Sequence, residues 1–581
     1  MSSARANANI RYELDERCPL SVAIGVGVQG VMIGLAPTVL IVAITVLAAG
    51  QDESYLSWAV FAALIISGVA TALQAAKIGR LGGGHILIMG ATPNFIAVSV
   101  LAIDEGGPAI LASLIVVSSL FYLALATWLP LLRRIITPVV SGTVLMLIAA
   151  LILPIAFDRL QEVPEGSSLA AGPCVAAVTL IAATMSMLRA PRTWRPWSLL
   201  LGIAAGCVAA VPFGLYDFER LSAASWVGIP ASGFPGLDLT PSAGFWALLP
   251  MFLIVTLVQV IKGIGDGVVI QQVSRRRPRT TDFRLIQGST YANGVGVLLS
   301  GLAGTPPTTS YSSSTVSLIN LTGVSARSAG YAVGGLLVVL AFFPKITSVL
   351  LSIPSPVMGG FLLVAIGMLF VEGIQTLARA GLDPQKAIVV GLAFSIGLGM
   401  EHRNVLADLL GSPWGELLGN GITVGTATAL VLTAFLELTS PRRRRLEVRL
   451  AIADLPRIDA FLQEIAAKIG WDAAATERLR SAGEETLSSL LQPDDAYPAG
   501  EAPRLIVVAR PEGGTVEMEF LAVFDEENLE DRLAYLDEQT ETFDERELSF
   551  RLLRHYASSV RHQKYHGLDI VTVQVAENHS N

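Results

Sequence analysis

Cysteine is scarce in this chain: there are three in 581 residues, Cys18, Cys174 and Cys207, with neither pairing nor metal-ligand spacing between them. That excludes a disulfide framework and a cysteine zinc site, and leaves the three as small apolar residues. Charge is scarce too. Only 15% of residues are Asp, Glu, Lys or Arg, 52% are hydrophobic and mean hydropathy is +0.58. A soluble chain cannot bury so many long apolar runs, so the expectation is an α-helical polytopic membrane protein. A phosphate-cradling glycine loop, a nucleophile–base set and a metal-ligand cluster are all missing from the pattern. Neither an enzyme nor a cofactor is therefore expected.

What is present is a series of apolar segments. The first set is 20–49, 55–77, 84–102, 108–131, 135–157, 170–190 and 196–216; the second is 243–272, 286–304, 308–323, 327–352, 356–377, 386–401 and 417–438. This predicts 14 transmembrane segments, seven plus seven. The first exceeds the ~20 residues a bilayer needs and must tilt or protrude. Alternate loops are basic: Lys77 and Arg80, Arg133-Arg134, Arg189 with Arg192 and Arg195, Arg275 to Arg277 with Arg279 and Arg284, then Arg442 to Arg445. The opposite loops, such as AIDEGG and FDRLQEVPEGSS, are acidic or neutral. The positive-inside rule puts residues 1–19 and everything after 438 in the cytoplasm of a cell with this inner-membrane protein. No small-residue cleavage site follows the first apolar run, so no cleaved signal peptide is expected.

Two segments are short and interrupted at matching places in the two sets. The third carries Gly82-Gly83-Gly84 and Thr92-Pro93-Asn94; the tenth carries Gly304-Thr305-Pro306-Pro307-Thr308-Thr309-Ser310. Proline removes backbone donors and disfavours helix before it, and non-helical backbone survives at membrane depth only where protein or a water-filled cavity satisfies it. Such a pair in two halves points to a midplane site at an inverted-repeat interface. Lys262 and Asp266 lie in the eighth segment, where an ionisable group costs at least ~2.5 kcal/mol and is a functional candidate by default.

These residues resemble the nucleobase/ascorbate transporter family, which includes bacterial uracil and xanthine permeases. The likeness covers about residues 15–438 and is carried by IGDGV around Asp266, by Ala292-Asn293-Gly294 continuing to GLAGTPPTTSYS, by PSPVMGGFLLVAIGMLFVEGIQTL from Pro354, and by LDPQKAIVVGLAFSIGLG from Leu382. It implies two intertwined inverted repeats divided into core and gate domains, solute held between the third and tenth spans, and an elevator-like motion driven by a proton or sodium. A homodimer is also implied. The chain departs from the family in three places. Lys262 occupies the position of a usual substrate-binding Glu; Ser314 and Thr315 occupy those of a usual Glu or Gln followed by Asn; and Gln29-Gly30 stands for a Gln-His pair.

An ammonium at 262 only donates hydrogen bonds, so exchanging it for a carboxylate turns the preference toward acceptor-rich or anionic solutes. A half-helix N-terminus favours the same, with Ser310, Ser312, Ser313, Ser314 and Thr315 as adaptable hydroxyls around it. The alternative for Lys262 is an ion pair with Asp266 one turn away. Asp266 is the expected proton-coupling residue, set against a capping or loop contact. Thr92, Asn94 and Phe95 are expected from the third span and Gln29 from the first, with backbone satisfaction and helix bridging as their other uses. His85 is expected as a structural group, and Arg275 to Arg277 as an orientation signal facing lipid headgroups.

Residues 441–581 carry 17 Lys and Arg against 27 Asp and Glu, whereas residues 1–440 carry 23 against 21. The expected boundaries are a membrane domain at 20–438, a basic linker at 439–449 and a small cytoplasmic α/β domain at 450–581. In that domain, ADLPRIDAFLQEIAAKIG and AATERLRSAGEETLSSLLQ pattern as helices, RLIVVAR, TVEMEFLAVF and LDIVTVQV as strands, and ELSFRLLRHYASSVRHQKYHG as helix. The order weakly resembles the histidine-kinase-like ATPase fold, with Glu484-Glu485-Thr486-Leu487-Ser488-Ser489 at the metal-binding box and Asp525-Glu526-Glu527-Asn528 where a glycine-rich motif belongs. Without those glycines, backbone cannot approach phosphates, and a regulatory or dimer-contact module with its own cytoplasmic partner is expected. The functional expectation is a secondary transporter for a nucleobase-like solute. The alternatives are an anion carrier of the same fold and a transporter-like receptor signalling through the tail. Lipid is an expected partner; nucleic acid is not.

Overall fold

The computed structural model describes residues 10–127, 138–164, 168, 170–191, 194–215, 225–230, 233–238, 240, 242–276, 282–379, 384–402, 421–439, 444–491, 504–512, 514–522, 552–553, 555–565 and 568–577. They form two compact units, a larger one of Ala6–Arg276 with Leu285–Ala434 and a smaller one of Phe435–Asn581 with Met1–Arg5 and Arg277–Arg284.

The larger unit is helical, and its elements follow the apolar segments in order, the third and fourth segments sharing one element and the eleventh being divided between two. They are α1 Leu20–Ala48, α2 Glu53–Ala75, strand β1 Met89–Ala91 leading through a 3₁₀ turn into α3 Ile96–Thr127, α4 Pro138–Gln161, α5 Ala171–Arg189 and α6 Ser198–Ala210. The second set is α7 Ala243–Val273, α8 Phe283–Ala303, strand β2 Thr308–Ser310 leading into α9 Ser312–Thr322, α10 Arg327–Ala341, α11 Pro344–Leu351, α12 Ser355–Arg379, α13 Pro384–His402 and α14 Gly421–Thr439. Seven described helices are long and apolar enough to cross a membrane. The pair α10 and α11 crosses as an eighth only with an 86° bend, because Pro344 opens a new helix where a single span over 327–352 is expected from sequence. The third and fourth segments meet at a kink, where Gly106 and Gly107 leave helical geometry before Pro108, with φ +78° at Gly107. That is the acidic AIDEGG loop.

Small residues let the helices approach. A Cβ on Gly68 of α2 would lie 2.5 Å from the Gly334 carbonyl of α10, and one on Gly142 of α4 would lie 2.8 Å from the Gly373 carbonyl of α12. Without a hydrophobic drive between helices in lipid, such close backbone packing is what holds them. Two bundles result. One contains α1, α2, α10 and the broken segments with α3, α7 and α9; the other packs α12 on α4, α5 and α6, with α13 on α4. Segments 1–4 and 8–11 thus supply the core, and 5–7 and 12–14 the gate, the same positions from each half.

Residues 10–18 strap one end of the core bundle. Tyr12 bridges to Val324, Arg327 pairs with Asp15 at 2.7 Å, and Arg276 donates to Glu16 Oε2 at 2.7 Å and to the carbonyls of Ile10 and Arg11. Arg276, expected as an orientation signal facing headgroups, is therefore tied into protein; Arg277 and Arg279 lie outside the described residues.

The smaller unit is a five-stranded, wholly antiparallel sheet in the order β3-β4-β5-β7-β6, formed by β3 Arg444–Arg449, β4 Arg504–Glu512, β5 Thr515–Ala522, β6 Ser559–Tyr565 and β7 Leu568–Ala576. Helices α15 Leu455–Ile469 and α16 Ala473–Leu490 contribute Leu462, Ile465, Leu479 and Leu487 to a core shared with Leu505, Phe520 and Val573. Strand β5 shows why: Val516, Met518, Phe520 and Ala522 are buried and alternate with half-buried neighbours, the period of a sheet with one covered face. Asp472 caps α16 by accepting from Ala475 N at 2.6 Å.

Two sequence expectations change here. Arg444–Arg449, inside the stretch expected as a linker, is an edge strand. The run ELSFRLLRHYASSVRHQKYHG, expected as helix, ends in β6: an edge strand can be polar along its length, so its sequence lacks the apolar alternation that announces a strand. Glu484-Glu485-Thr486-Leu487-Ser488-Ser489 lies on α16, with Thr486 and Leu487 buried; Asp525-Glu526-Glu527-Asn528 lies outside the described residues.

Candidate substrate site

The two broken segments meet. β1 and β2 pair antiparallel with Met89 opposite Ser310, Gly90 opposite Thr309 and Ala91 opposite Thr308. Equivalent strands pairing antiparallel is the relation an inverted repeat requires. Each strand runs straight into a helix, so the N-termini of α9 and of the turn before α3 converge on the crossing and present partial positive charge there.

Three-residue strands leave most of their backbone unpaired, and side chains from neighbouring helices complete it. Thr71 Oγ1 accepts from Met89 N at 2.9 Å, Thr315 Oγ1 from Ile88 N at 3.0 Å, Ser300 Oγ from Thr308 N at 3.1 Å and Asn293 Oδ1 from Ser310 N at 3.0 Å. This is the protein replacing the water that lipid excludes. Gly90 is required: a Cβ there would overlap Thr38 Oγ1 and the Tyr311 ring, and Tyr311 in turn donates its hydroxyl hydrogen to the Ala91 carbonyl.

Along α7 runs the polar face of the site. Gln259 accepts from Asn94 Nδ2 at 2.6 Å and donates to Thr309 Oγ1 at 2.9 Å, so it bridges both broken segments. Two turns on, Asp266, 4% exposed, accepts from Ser310 Oγ at 2.8 Å. Between them lies Gly263, where a Cβ would be 3.2 Å from the Tyr122 hydroxyl and 3.4 Å from Asn293 Nδ2. Asn94 Oδ1, Asn293 Nδ2 and Tyr122 OH are buried without a hydrogen-bond partner among the described residues. A core that leaves an acceptor and two donors unsatisfied costs about 1–3 kcal/mol for each, and these three atoms make the crossing the candidate site for a polar solute.

Lys262 sits on the same helix, and its ion pair is with Glu372 of α12 at 3.6 Å. The expected alternative, a pair with Asp266, is not formed; Asp266 Oδ2 instead accepts from Ser310. Glu372 went unnoticed as a site residue in the sequence, although it is an ionisable group inside an apolar span and sits within the motif from Pro354. Gln259, Asn293 and Tyr122 were likewise missed; an uncharged polar residue in an apolar helix gives little signal.

The other candidates divide. Asn94 is at the crossing, and Thr92 holds it by accepting from Asn94 N at 3.4 Å and donating its own N–H to Pro307 O at 3.2 Å. Phe95 packs on Phe252 of α7 with centroids 6.1 Å apart and is fully buried, as core rather than site wall. Thr315 is committed to Ile88 and to the Tyr311 carbonyl, a structural use. Ser312 and Ser314 are half-buried and Ser313 exposed on the first turn of α9. Gln29 is half-buried on α1, its Oε1 without a partner among the described residues. His85 is buried ahead of β1.

A xanthine/uracil permease model, described as a permease family, matches residues 22–406. The xanthine permease XanP of Escherichia coli (strain K12) is 26% identical over 446 residues, covering 73% of this chain and 94% of that protein. The uric acid permease PucK of Bacillus subtilis (strain 168) is 28% identical over 426 residues, covering 71% and 95%. Among solved structures, the transmembrane domain of a cyanobacterium bicarbonate transporter BicA aligns with a TM-score of 0.45 and 16% identity over 71% of this chain and 97% of that one.

Proposed function

This chain belongs to the xanthine/uracil permease family, and from that premise we propose that it is a secondary transporter of an acceptor-rich or anionic purine, bound where its two broken segments cross. The observation that carries the reading is Lys262 on α7, one turn from Asp266. An ammonium only donates, two half-helix N-termini add positive potential, and the unpartnered Asn293 Nδ2 and Tyr122 OH are further donors. Carbonyl-rich, readily ionised rings such as urate satisfy donors of this kind. The likeness to a uric acid permease supports the same class.

Asp266 is the proposed coupling group. Protonated, its carboxyl gains a donor and loses its charge, which changes what it offers Ser310 and the solute; a coupled carrier needs that kind of differential interaction. The proposed motion carries the core bundle past the gate bundle, with the basic loops and both termini on the cytoplasmic side of the inner membrane.

Thermal stabilisation of the purified protein by urate, xanthine, uracil and bicarbonate tests the reading, since a ligand of the folded state stabilises by RT ln(1 + [L]/Kd). The expected result is stabilisation by urate and xanthine that Lys262→Glu abolishes for urate. Stabilisation by bicarbonate alone would replace a purine carrier with an inorganic-anion carrier. Binding of a purine with no flux in proteoliposomes would make the protein a receptor.

A further inference from the structure

We infer that Glu372 is a specificity-determining residue: its carboxylate is a displaceable counter-ion for Lys262 that holds the place of the solute's acceptor and ties the core bundle to the gate bundle until the solute takes over. This rests on the reading of Lys262 as the group that recognises the solute's charge.

Three observations carry it. First, the pair is loose. Lys262 Nζ is 3.6 Å from Glu372 Oε2, against about 2.7–2.9 Å for a charge-assisted hydrogen bond. Second, the partners are unequally enclosed. The Lys262 side chain is 13% exposed and that of Glu372 36%, so Glu372 has somewhere to go when displaced and Lys262 does not. A cation so enclosed requires a counter-charge or acceptors at all times. The ion pair of Lys262 is with Glu372 and not with Asp266, whose Oδ2 accepts from Ser310, so the acceptor that replaces Glu372 at the ammonium is the ligand's. Third, the two residues belong to different bundles: α7 packs with α3 and α9, and α12 with α4, α5 and α6.

Specificity follows from exchange. A solute with carbonyl oxygens or a negative charge supplies what Glu372 withdraws. A donor-rich ring cannot, and leaves Lys262 unpaired. The same exchange unties α7 from α12, so the ligand that fits is also the one that lowers the cost of relative motion between bundles, and linkage makes the effect reciprocal.

The test uses full-length protein and two probes, urate and uracil, with binding measured on wild type, Glu372→Gln, Lys262→Met and the double variant. Removing the internal competitor should tighten urate in Glu372→Gln, on the order of tenfold, with uracil unchanged. Lys262→Met should lose urate, and the double variant, which removes both charges together, should fold and also lack urate binding. Glu372→Asp, one methylene shorter, should tighten urate by less and serves if Glu372→Gln does not fold. Equal urate affinity in wild type and both Glu372 variants overturns the inference while leaving a purine carrier intact. Absence of purine binding in wild type and Glu372→Gln alike overturns the transport reading and this inference with it.

Discussion

Ser310 Oγ donates to Asp266 Oδ2 at 2.8 Å, joining the end of the tenth segment's strand to the C-terminal part of α7. The bond fixes the carboxylate's direction, and it links Asp266 to the element whose helix N-terminus faces the crossing. Ser310→Ala removes the donor and leaves a carboxylate that is 4% exposed short of a partner. Leaving a buried polar group unsatisfied costs about 1–3 kcal/mol, more when it is charged, so Tm should fall. Asp266→Asn keeps an acceptor for Ser310 and should fold, while the dependence of uptake on an imposed pH gradient disappears. Gradient-driven uptake by Asp266→Asn equal to wild type would remove Asp266 from coupling.

Gly90 carries the second prediction. It lies opposite Thr309 in the strand pair, and a Cβ would overlap Thr38 Oγ1 and the Tyr311 ring. Neither neighbour has room to yield, because Tyr311 bonds the Ala91 carbonyl and Thr38 bonds the Gly34 carbonyl at 2.8 Å. Gly90→Ala should cost about 1–3 kcal/mol through overpacking and reduce solute affinity together with Tm, since it separates the two segments that form the site. Thermal melts with and without urate check both effects.

The arrangement of the membrane unit was readable because bilayer thickness and proline leave strong marks. Apolar length delimited fourteen segments, and Thr92-Pro93 and Pro306-Pro307 marked the two interruptions, beside which the structure places the paired strands. What escaped depends on contacts between distant residues. Nothing local says that Lys262 reaches α12 rather than Asp266, that Gln259 spans from Asn94 to Thr309, or that Phe95 turns into the core against Phe252. The strand β6 escaped for a related reason: pairing with β7 overrides a local sequence that lacks alternating apolar residues.

In the smaller unit, Phe520 is fully buried at the centre of the core that α15 and α16 share with the sheet. Phe520→Ala should cost about 3–5 kcal/mol, the range for deleting a buried aromatic ring. Hydrogen exchange read by mass spectrometry should then show protection lost across β4, β5 and β7. If α7 and the paired strands β1 and β2 lose protection in parallel, the two units do not unfold independently.

Glu16 and Arg276 give a pH dependence with a definite sign. The Arg276 guanidinium donates to Glu16 at 2.7 Å, Glu13 N adds a bond at 3.0 Å, and together they hold the Glu16 carboxyl below its ordinary value of 4.5. Hydrogen bonding to Glu16 likewise raises the Arg276 guanidinium, which stays charged throughout. A carboxylate depressed in the folded state contributes stability that is fully present above its unfolded value and is lost as pH falls through the lower, folded one. The strap of residues 10–18 should therefore stay docked at neutral pH and release in acid, below about 4.5. Both groups are open to solvent, so screening keeps the effect local, with little change in Tm. Hydrogen exchange of the backbone amides of Arg11, Tyr12, Ser325 and Arg327, whose bonds lock strap to bundle, reports the release. Glu16→Gln should show at pH 7 the exchange that wild type shows only in acid, and a strap equally protected in both proteins from pH 7 to pH 4 would assign the docking to Arg327–Asp15 instead.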